Sequence, residues 1–340
     1  MRMLSSRSLV PALAAAAALV ALTGCPKGIP GRGGSGKVDP NSCGNYAVSD
    51  AGRKLKAFFE ATVKLNDTVV ETEQVVKTSC KMMGTELGMA PGDLEGTTND
   101  VCARVITTIR DNLKVSIKGE AGLKVDYKPA VCTVDIQATA RAAAECEAKA
   151  EADIAVRCEG SCTGTCSGAC DGTCHAEGGT GGSSGQCNGH CEGSCGGTCS
   201  GGCDGHADVE ASAQCKAQAE VNASVDVQCT EAELNIEAKA DVIVDASKAE
   251  MTIKALKAGL PKILSVKARL KPLKAAVATW ARSAKELGES ASDLAGSFKD
   301  QALCISGQIA GAAAMVANIQ ASVDVSVSVS VEASASAGVN

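Results

Sequence analysis

The chain has 340 residues, of which 33 are Lys or Arg and 39 are Asp or Glu, giving a formal net charge of −6 at pH 7. A mildly acidic chain without a basic patch argues against a nucleic-acid partner. Only one Trp, two Tyr and three Phe are present, which is poor material for pockets that stack sugars or bases. The 19 cysteines indicate a disulfide-rich chain if it is exported.

The N-terminus has the pattern of an export signal. Arg2 and Arg7 precede an apolar run at 9–22, and the small residues of Leu22-Thr23-Gly24 lead to Cys25. The run is too short for a permanent membrane span. The ending resembles the lipobox of bacterial lipoproteins, which implies a signal peptide at 1–24, cleavage before Cys25 and acylation of its thiol. An ordinary signal peptide with a chance cysteine is the alternative.

Two further expectations concern the mature N-terminus. The residue after Cys25 is Pro26 and not aspartate, and the lipoprotein resemblance then implies sorting to the outer membrane of a diderm bacterium. Residues 25–42 are rich in Gly, Pro and Ser, so they cannot bury enough apolar surface to order themselves and are predicted to form a flexible tether.

Ten cysteines form a mirror-symmetric repeat. They recur every four residues at 158–174 and again at 187–203, with a glycine midway between neighbours. This glycine content disfavours helix, so the two runs are predicted to be strands of one hairpin. Folding the chain back at 178–184 opposes residues whose numbers add to 361, and Cys meets Cys throughout. The rule gives seven disulfides: Cys132–Cys229, Cys146–Cys215, Cys158–Cys203, Cys162–Cys199, Cys166–Cys195, Cys170–Cys191 and Cys174–Cys187.

The hairpin arm is predicted to occupy 115–246, with its Cys/Gly-rich tip at 158–203. Fully extended arms of this length would reach about 190 Å at ~3.3 Å per residue. The Ala-rich parts at 138–152 and 207–223 alternate in a way that favours strand, while their alanine content leaves helix open.

Metal binding is an alternative for the tip. Reduced cysteines would resemble the thiolate cluster of a metallothionein, and His175 and His190 could join cysteines around zinc. Because an exported chain meets oxidants, disulfides are preferred, and no metal and no cofactor are expected.

The flanking segments have helical periodicity. A helical hairpin is predicted at 43–114. Cys80 and Cys102 lie at similar distances from a Pro-Gly break, so a Cys80–Cys102 disulfide between the two helices is predicted. Helices at 247–320 carry a 3.5-residue apolar repeat that would complete the bundle; a dimerisation seam is the alternative. Cys43 and Cys304 remain to pair. Alternating Val and Ser in 321–340 predict a C-terminal β-strand added to the hairpin base.

The predicted fold class is therefore α+β, with a helical bundle holding a long antiparallel β-hairpin arm. No catalytic constellation is found in the sequence, so an enzyme is not expected. The preferred hypothesis is an envelope lipoprotein with a structural, display or adhesion role, held at the membrane through its lipid. Its partners would be other envelope or cell-surface proteins, with self-association open. The alternatives are a membrane-perturbing protein, similar only in plan to tongue-bearing α-helical pore-forming toxins, and a metal-sequestering protein.

Overall fold

A computed structural model of the chain describes residues 37–118, 123–176 and 179–338. The predicted signal peptide, Cys25 and all but the last residues of the tether lie outside the described residues. The fold is α+β, as predicted: a helical bundle carries an inserted hairpin arm that is cross-linked by disulfides.

The described residues contain seven α-helices: α1 (Asp50–Glu86), α2 (Thr98–Ser116), α3 (Ile136–Glu147), α4 (Ala213–Val225), α5 (Ala246–Glu289), α6 (Ala291–Gly296) and α7 (Ala302–Ser336). Short polar side chains begin several of them. The Ser49 hydroxyl accepts a hydrogen bond from the backbone at the start of α1, and Thr97 forms a reciprocal capping box with Asp100 at the start of α2. The helix boundaries therefore follow directly from local sequence.

The bundle is formed by α1, α2, α5 and α7 around the largest buried side chains. Phe58 of α1 stacks on Trp280 of α5, and the indole N–H of Trp280 donates to the buried Thr62 hydroxyl at 2.8 Å. Disulfide Cys80–Cys102 joins α1 to α2. Disulfide Cys43–Cys304 joins the segment before α1 to α7, and both coincide with the predicted pairs.

The prediction of a C-terminal strand at 321–340 is wrong, because α7 continues to Ser336. The hydroxyls of Ser326, Ser330 and Ser334 each donate to the carbonyl four residues earlier, which satisfies them inside a helix. Val323 and Val329 are buried against the bundle. The stretch Lys299–Ser336 is also, among the described residues, the one helix long and apolar enough by composition to cross a membrane.

The described strands are β1 (Leu123–Lys128), β2 (Cys132–Asp135), β3 (Val156–Cys162), β4 (Cys166–Ala176), β5 (Gly179–Cys195), β6 (Thr198–Cys199), β7 (Gly202–Val209), β8 (Gln228–Cys229) and β9 (Glu233–Ala238). The base of the hairpin has the predicted register: Leu123 lies opposite Ala238, and Cys132 lies opposite and is bonded to Cys229.

The Ala-rich parts of the arm are mainly helical, so the preferred strand prediction for 138–152 and 207–223 is wrong there. They form α3 and α4, and disulfide Cys146–Cys215 joins these two helices in the predicted pairing. The intrinsic helix propensity of alanine prevails over the alternation because the Asp135 carboxylate caps α3 and both helices bury an alanine face. The arm is therefore an interrupted hairpin and not one continuous ribbon.

Candidate functional site: the cystine coil

The Cys/Gly-rich tip is wound into a compact element, which we call the cystine coil (residues 156–176 and 179–209). Its strands do not have the predicted register. Cys162 lies opposite Cys203 and Cys166 lies opposite Cys199, so residue numbers across the backbone ladder add to 365. The disulfides nevertheless join Cys162 to Cys199, four residues away from the backbone partner. Opposed residues are therefore not the bonded residues, which corrects the flat-ladder prediction.

The two arms of the coil wind around each other. Ser161 lies opposite Asp204 along one edge of its strand and opposite Ser194 along the other. Ser194 and Asp204 lie ten residues apart on the same arm, so that arm completes one turn of the coil in about ten residues and then runs alongside its previous turn, with one strand of the other arm between them. With strands about 4.8 Å apart, two strand spacings give an axial rise of about 1 Å per residue. The fully extended arm of about 190 Å is therefore also wrong.

The interior of the coil is filled by cystine sulfur. Its ten cysteines are each at most 5% exposed, and the Cα atoms of the five bonded pairs are 5.6–5.8 Å apart. The five disulfides coincide with the predicted pairs. Together, the nine disulfides use every cysteine from Cys43 to Cys304, which leaves no thiol in the described residues for a soft-metal cluster.

Glycine is required where the two backbones meet. A Cβ added at Gly160 would lie 2.0 Å from the backbone oxygen of Asp204, and one added at Gly172 would lie 1.9 Å from that of Glu192. Gly172 also has φ +154°, a conformation that side-chain-bearing residues rarely adopt. The alternation of Cys and Gly therefore supplies cross-links at one position and close backbone approach two residues later.

The outer surface of the coil is polar and consists mainly of short side chains. The exposed hydroxyls are Ser161, Thr163, Thr165, Ser167, Thr173, Ser194, Thr198 and Ser200. None of the exposed large apolar side chains of the described residues lies in the coil. The exposed rings of His175 and His190 are 6.2 Å apart, and His175 Nε2 lies 3.4 Å from a Glu192 carboxylate oxygen. Neither histidine has a cysteine thiol beside it to complete the zinc site considered above.

A partly buried ion pair fixes the helices at the base of the arm. Glu147, at the end of α3, accepts hydrogen bonds from Lys54 Nζ at 2.6 Å and from the backbone N–H of Ser212 at 2.6 Å. Burial alone would raise the pKa of the Glu147 carboxyl, but these hydrogen bonds outweigh burial and lower the pKa to about 2. This carboxylate therefore links α1, α3 and the approach to α4.

A second polar cluster lies between the coil and α4, and the sequence patterns did not single it out. His206 and Asp208 of β7 and Glu220 of α4 bring their ligating atoms within 4.8 Å of one another. Lys216, one turn before Glu220, contacts Asp208 directly. The spacing of His206 and Asp208, two residues apart on a strand, is the one local signal that places both on the same face.

Comparisons with protein-family models, with curated proteins and with solved structures found no match to this chain.

Proposed function

We propose that the chain is a lipid-anchored lipoprotein of the cell envelope, without catalytic activity, that displays the cystine coil to an envelope or cell-surface partner. One observation carries the display role. Strands β4 and β5 pack chiefly on each other and on β3 and β6, and their interior is cystine instead of an apolar core. An element that is stabilised by its own covalent cross-links can project from a bundle without needing a cover.

The coil surface suits recognition more than catalysis or membrane insertion. Its exposed hydroxyls offer donors and acceptors with few rotatable bonds, so ordering them on binding costs little side-chain entropy. The coil exposes the acids Glu159, Asp171 and Glu192, and its one exposed Lys or Arg, Arg157, is paired with Glu210 outside the coil. A partner with a polar, mildly basic surface therefore fits this face best.

The anchor is supported by the Leu22-Thr23-Gly24-Cys25 ending and by the disulfides. Nine disulfides require an oxidising compartment, which an export signal provides. They also use every other cysteine of the chain, which suits a separate role for Cys25. The lipobox resemblance and Pro26 together favour the outer membrane of a diderm bacterium as the destination.

The anchor is tested by metabolic labelling with a clickable fatty acid in a diderm host. We expect the parent chain to be labelled and to sediment with outer membranes. Cys25→Ser should lose the label and leave the membrane fraction, whereas the matched tether change Ser35→Ala should keep both. Equal labelling of the Cys25→Ser chain would reject the lipoprotein assignment.

The display role is tested on intact cells by placing an epitope and, separately, a photocrosslinking residue in the coil. An epitope inserted after the exposed Gly185 should be stained by antibody without permeabilisation. A photocrosslinking residue at exposed Thr173 should capture a discrete partner, whereas the same residue at exposed Val48, before α1, should not. An epitope that is reached only after permeabilisation, together with the same capture from both positions, would contradict a display role for the coil.

Membrane perturbation is the second candidate function, and the apolar composition of α7 favours it. The helix Lys299–Ser336 is long and apolar enough by composition to cross a membrane, and only 22% of its apolar stretch is buried. The polar coil argues against insertion of the arm itself. Dye release from liposomes treated with the oxidised protein would favour this function, and intact liposomes would leave display as the function.

A further inference from the structure

A partly buried polar cluster lies at the interface between the coil and the helices. Residues of β7 alternate between the cystine interior and the opposite face, and His206 and Asp208 lie on that opposite face. Helix α4 packs over this face and brings Glu220 against them. The cluster therefore joins two elements that no disulfide connects directly.

The geometry of the cluster is that of converging ligands. His206 Nε2 lies 3.2 Å from Glu220 Oε2, and the ligating atoms of His206, Asp208 and Glu220 all lie within 4.8 Å of one another. The fourth charged group is Lys216, which contacts Asp208 and whose Nζ lies 3.7 Å from Glu220 Oε1.

The hydrogen bonding of the cluster is incomplete. The Glu220 side chain is 0% exposed, and its Oε2 makes no hydrogen bond of good geometry, although His206 Nε2 lies 3.2 Å away. Its Oε1 accepts only a long bond of 3.5 Å from the Val209 N–H. His206 Nδ1 is likewise buried without a partner. A buried carboxylate oxygen without a partner is costly unless a cation compensates it.

The local charge also favours an added cation. Two carboxylates, Asp208 and Glu220, face one ammonium, Lys216, and one imidazole. The other acid on this face of β7, Asp204, is engaged by Lys271 at 3.4 Å. Arg282 lies close enough to act on the Lys216 ammonium electrostatically, and it has no ion pair with either carboxylate. A metal-binding imidazole is neutral. In that form of the cluster Lys216 balances only one of the two carboxylates.

We propose that His206, Asp208 and Glu220 form a binding site for a divalent transition-metal ion of the Zn²⁺ class. One imidazole nitrogen and two carboxylate oxygens are a donor set that Zn²⁺ accepts, with a fourth position left for water. The ion would neutralise Glu220 and tie the coil to α4. This site uses no cysteine and differs from the thiolate cluster and from the His175/His190 site considered for the tip.

Lys216 is the competitor of the metal in this arrangement. Its ammonium lies against both carboxylates, and its side chain is 27% exposed, so it can swing toward solvent when an ion enters. Lys216→Gln removes this competing charge and should therefore strengthen metal binding. A purely structural ion-pair cluster predicts a different result, namely lower stability of this variant and no metal binding.

The test uses oxidised mature protein carrying Cys25→Ser, stripped of metal by chelation and titrated with Zn²⁺ by calorimetry and with Co²⁺ by visible absorption. We expect one ion per chain. His206→Ala and Glu220→Gln should weaken Zn²⁺ affinity by at least about 100-fold, since loss of a ligand exceeds the about 10- to 100-fold effect of an outer-shell partner. Lys216→Gln should bind more tightly, and the matched control His190→Ala should bind like the parent.

Peptide mapping of the nine disulfides and a thermal melt establish that each variant is folded. No ion bound by the parent and by Lys216→Gln would overturn the proposal. Zn²⁺ binding by folded His206→Ala with the affinity of the parent would also overturn it. A loss of binding in the His190→Ala control would overturn it too, because it would place the ion at the tip of the coil. The result does not depend on lipid anchoring or on surface display.

Discussion

Replacing Gly172 by alanine tests the wound register of the cystine coil. A Cβ at this position would lie 1.9 Å from the Glu192 backbone oxygen, against 3.4 Å for an ordinary contact, so the strands must part by about 1.5 Å. The flanking disulfides Cys170–Cys191 and Cys174–Cys187 oppose that movement. Overpacking of this kind costs about 1–3 kcal/mol, and the φ of +154° adds about 1–3 kcal/mol for a residue with a side chain.

The assay is graded reduction by a phosphine followed by alkylation and peptide mapping of the tip disulfides. A local destabilisation of about 2–6 kcal/mol raises the population of the opened coil by at least ~30-fold, and reduction of the tip disulfides should accelerate in proportion. The matched control is Gly196→Ala, whose Cβ would meet Ala169 Cβ at 3.4 Å, an ordinary contact. Equal reduction rates for the two variants would refute the close backbone approach and with it the register.

Two further changes test the helical part of the fold. The pKa of Glu147 is lowered from 4.5 to about 2, so the ionised carboxylate stabilises the fold fully above pH ~4.5 and loses this effect as the pH falls toward 2. Glu147→Gln should lower the free energy of unfolding by up to about 3 kcal/mol at pH 7 and should make that free energy less dependent on acid pH. The control is Glu145→Gln at an exposed position. Chemical denaturation at pH 7 and pH 3 measures both effects. If the free energy of unfolding fell between the two pH values by the same amount in the parent and in Glu147→Gln, the prediction would be contradicted. Thr62→Val leaves the buried Trp280 N–H unpaired and should lower the free energy of unfolding by about 1–3 kcal/mol, measured by thermal unfolding. The control Thr85→Val, at an exposed position, should lower it much less. Equal losses in the two variants would argue against the Trp280–Thr62 hydrogen bond.

The disulfide pattern could be predicted from sequence because its symmetry is unambiguous. Folding about the centre of the repeat leaves each cysteine with one partner, and the rule extends to Cys132–Cys229. The register could not be predicted, because with a four-residue period sums of 361 and 365 both place Cys on Cys and Gly on Gly along most of the repeat. The two sums differ only at the ends, where the sum of 365 places Cys158 opposite Ala207. Only the path of the backbone separates them, and that path depends on winding, a tertiary property.

Where small residues dominate, the sequence pattern does not distinguish a helix from a strand. In α3 and α4 alanine satisfies both a period of two and a helical face, so alternation alone does not discriminate. In α7 the Val and Ser run also satisfies a three- and four-residue spacing, since Val323, Ser326 and Ser330 are all buried. The cluster of His206 and Glu220 escaped prediction because α4 brings the two side chains together from elements that the sequence patterns did not pair.

The internal disulfides determine how the arm would respond to pulling. Force applied at the tip enters through Cys174 and Cys187 and passes from one covalent bond to the next down to Cys158–Cys203. Between successive cystines only three residues of each arm can lengthen. Each step from one cystine to the next can therefore extend by about 9 Å at most, from about 1 Å to about 3.3 Å per residue, and the coil cannot unzip. Tension then reaches the short segments before α4 and after α3, where the Cys146–Cys215 disulfide stops it. A partner held at the tip would therefore pull on a coil whose covalent links stay intact while the surrounding hydrogen bonds break and re-form.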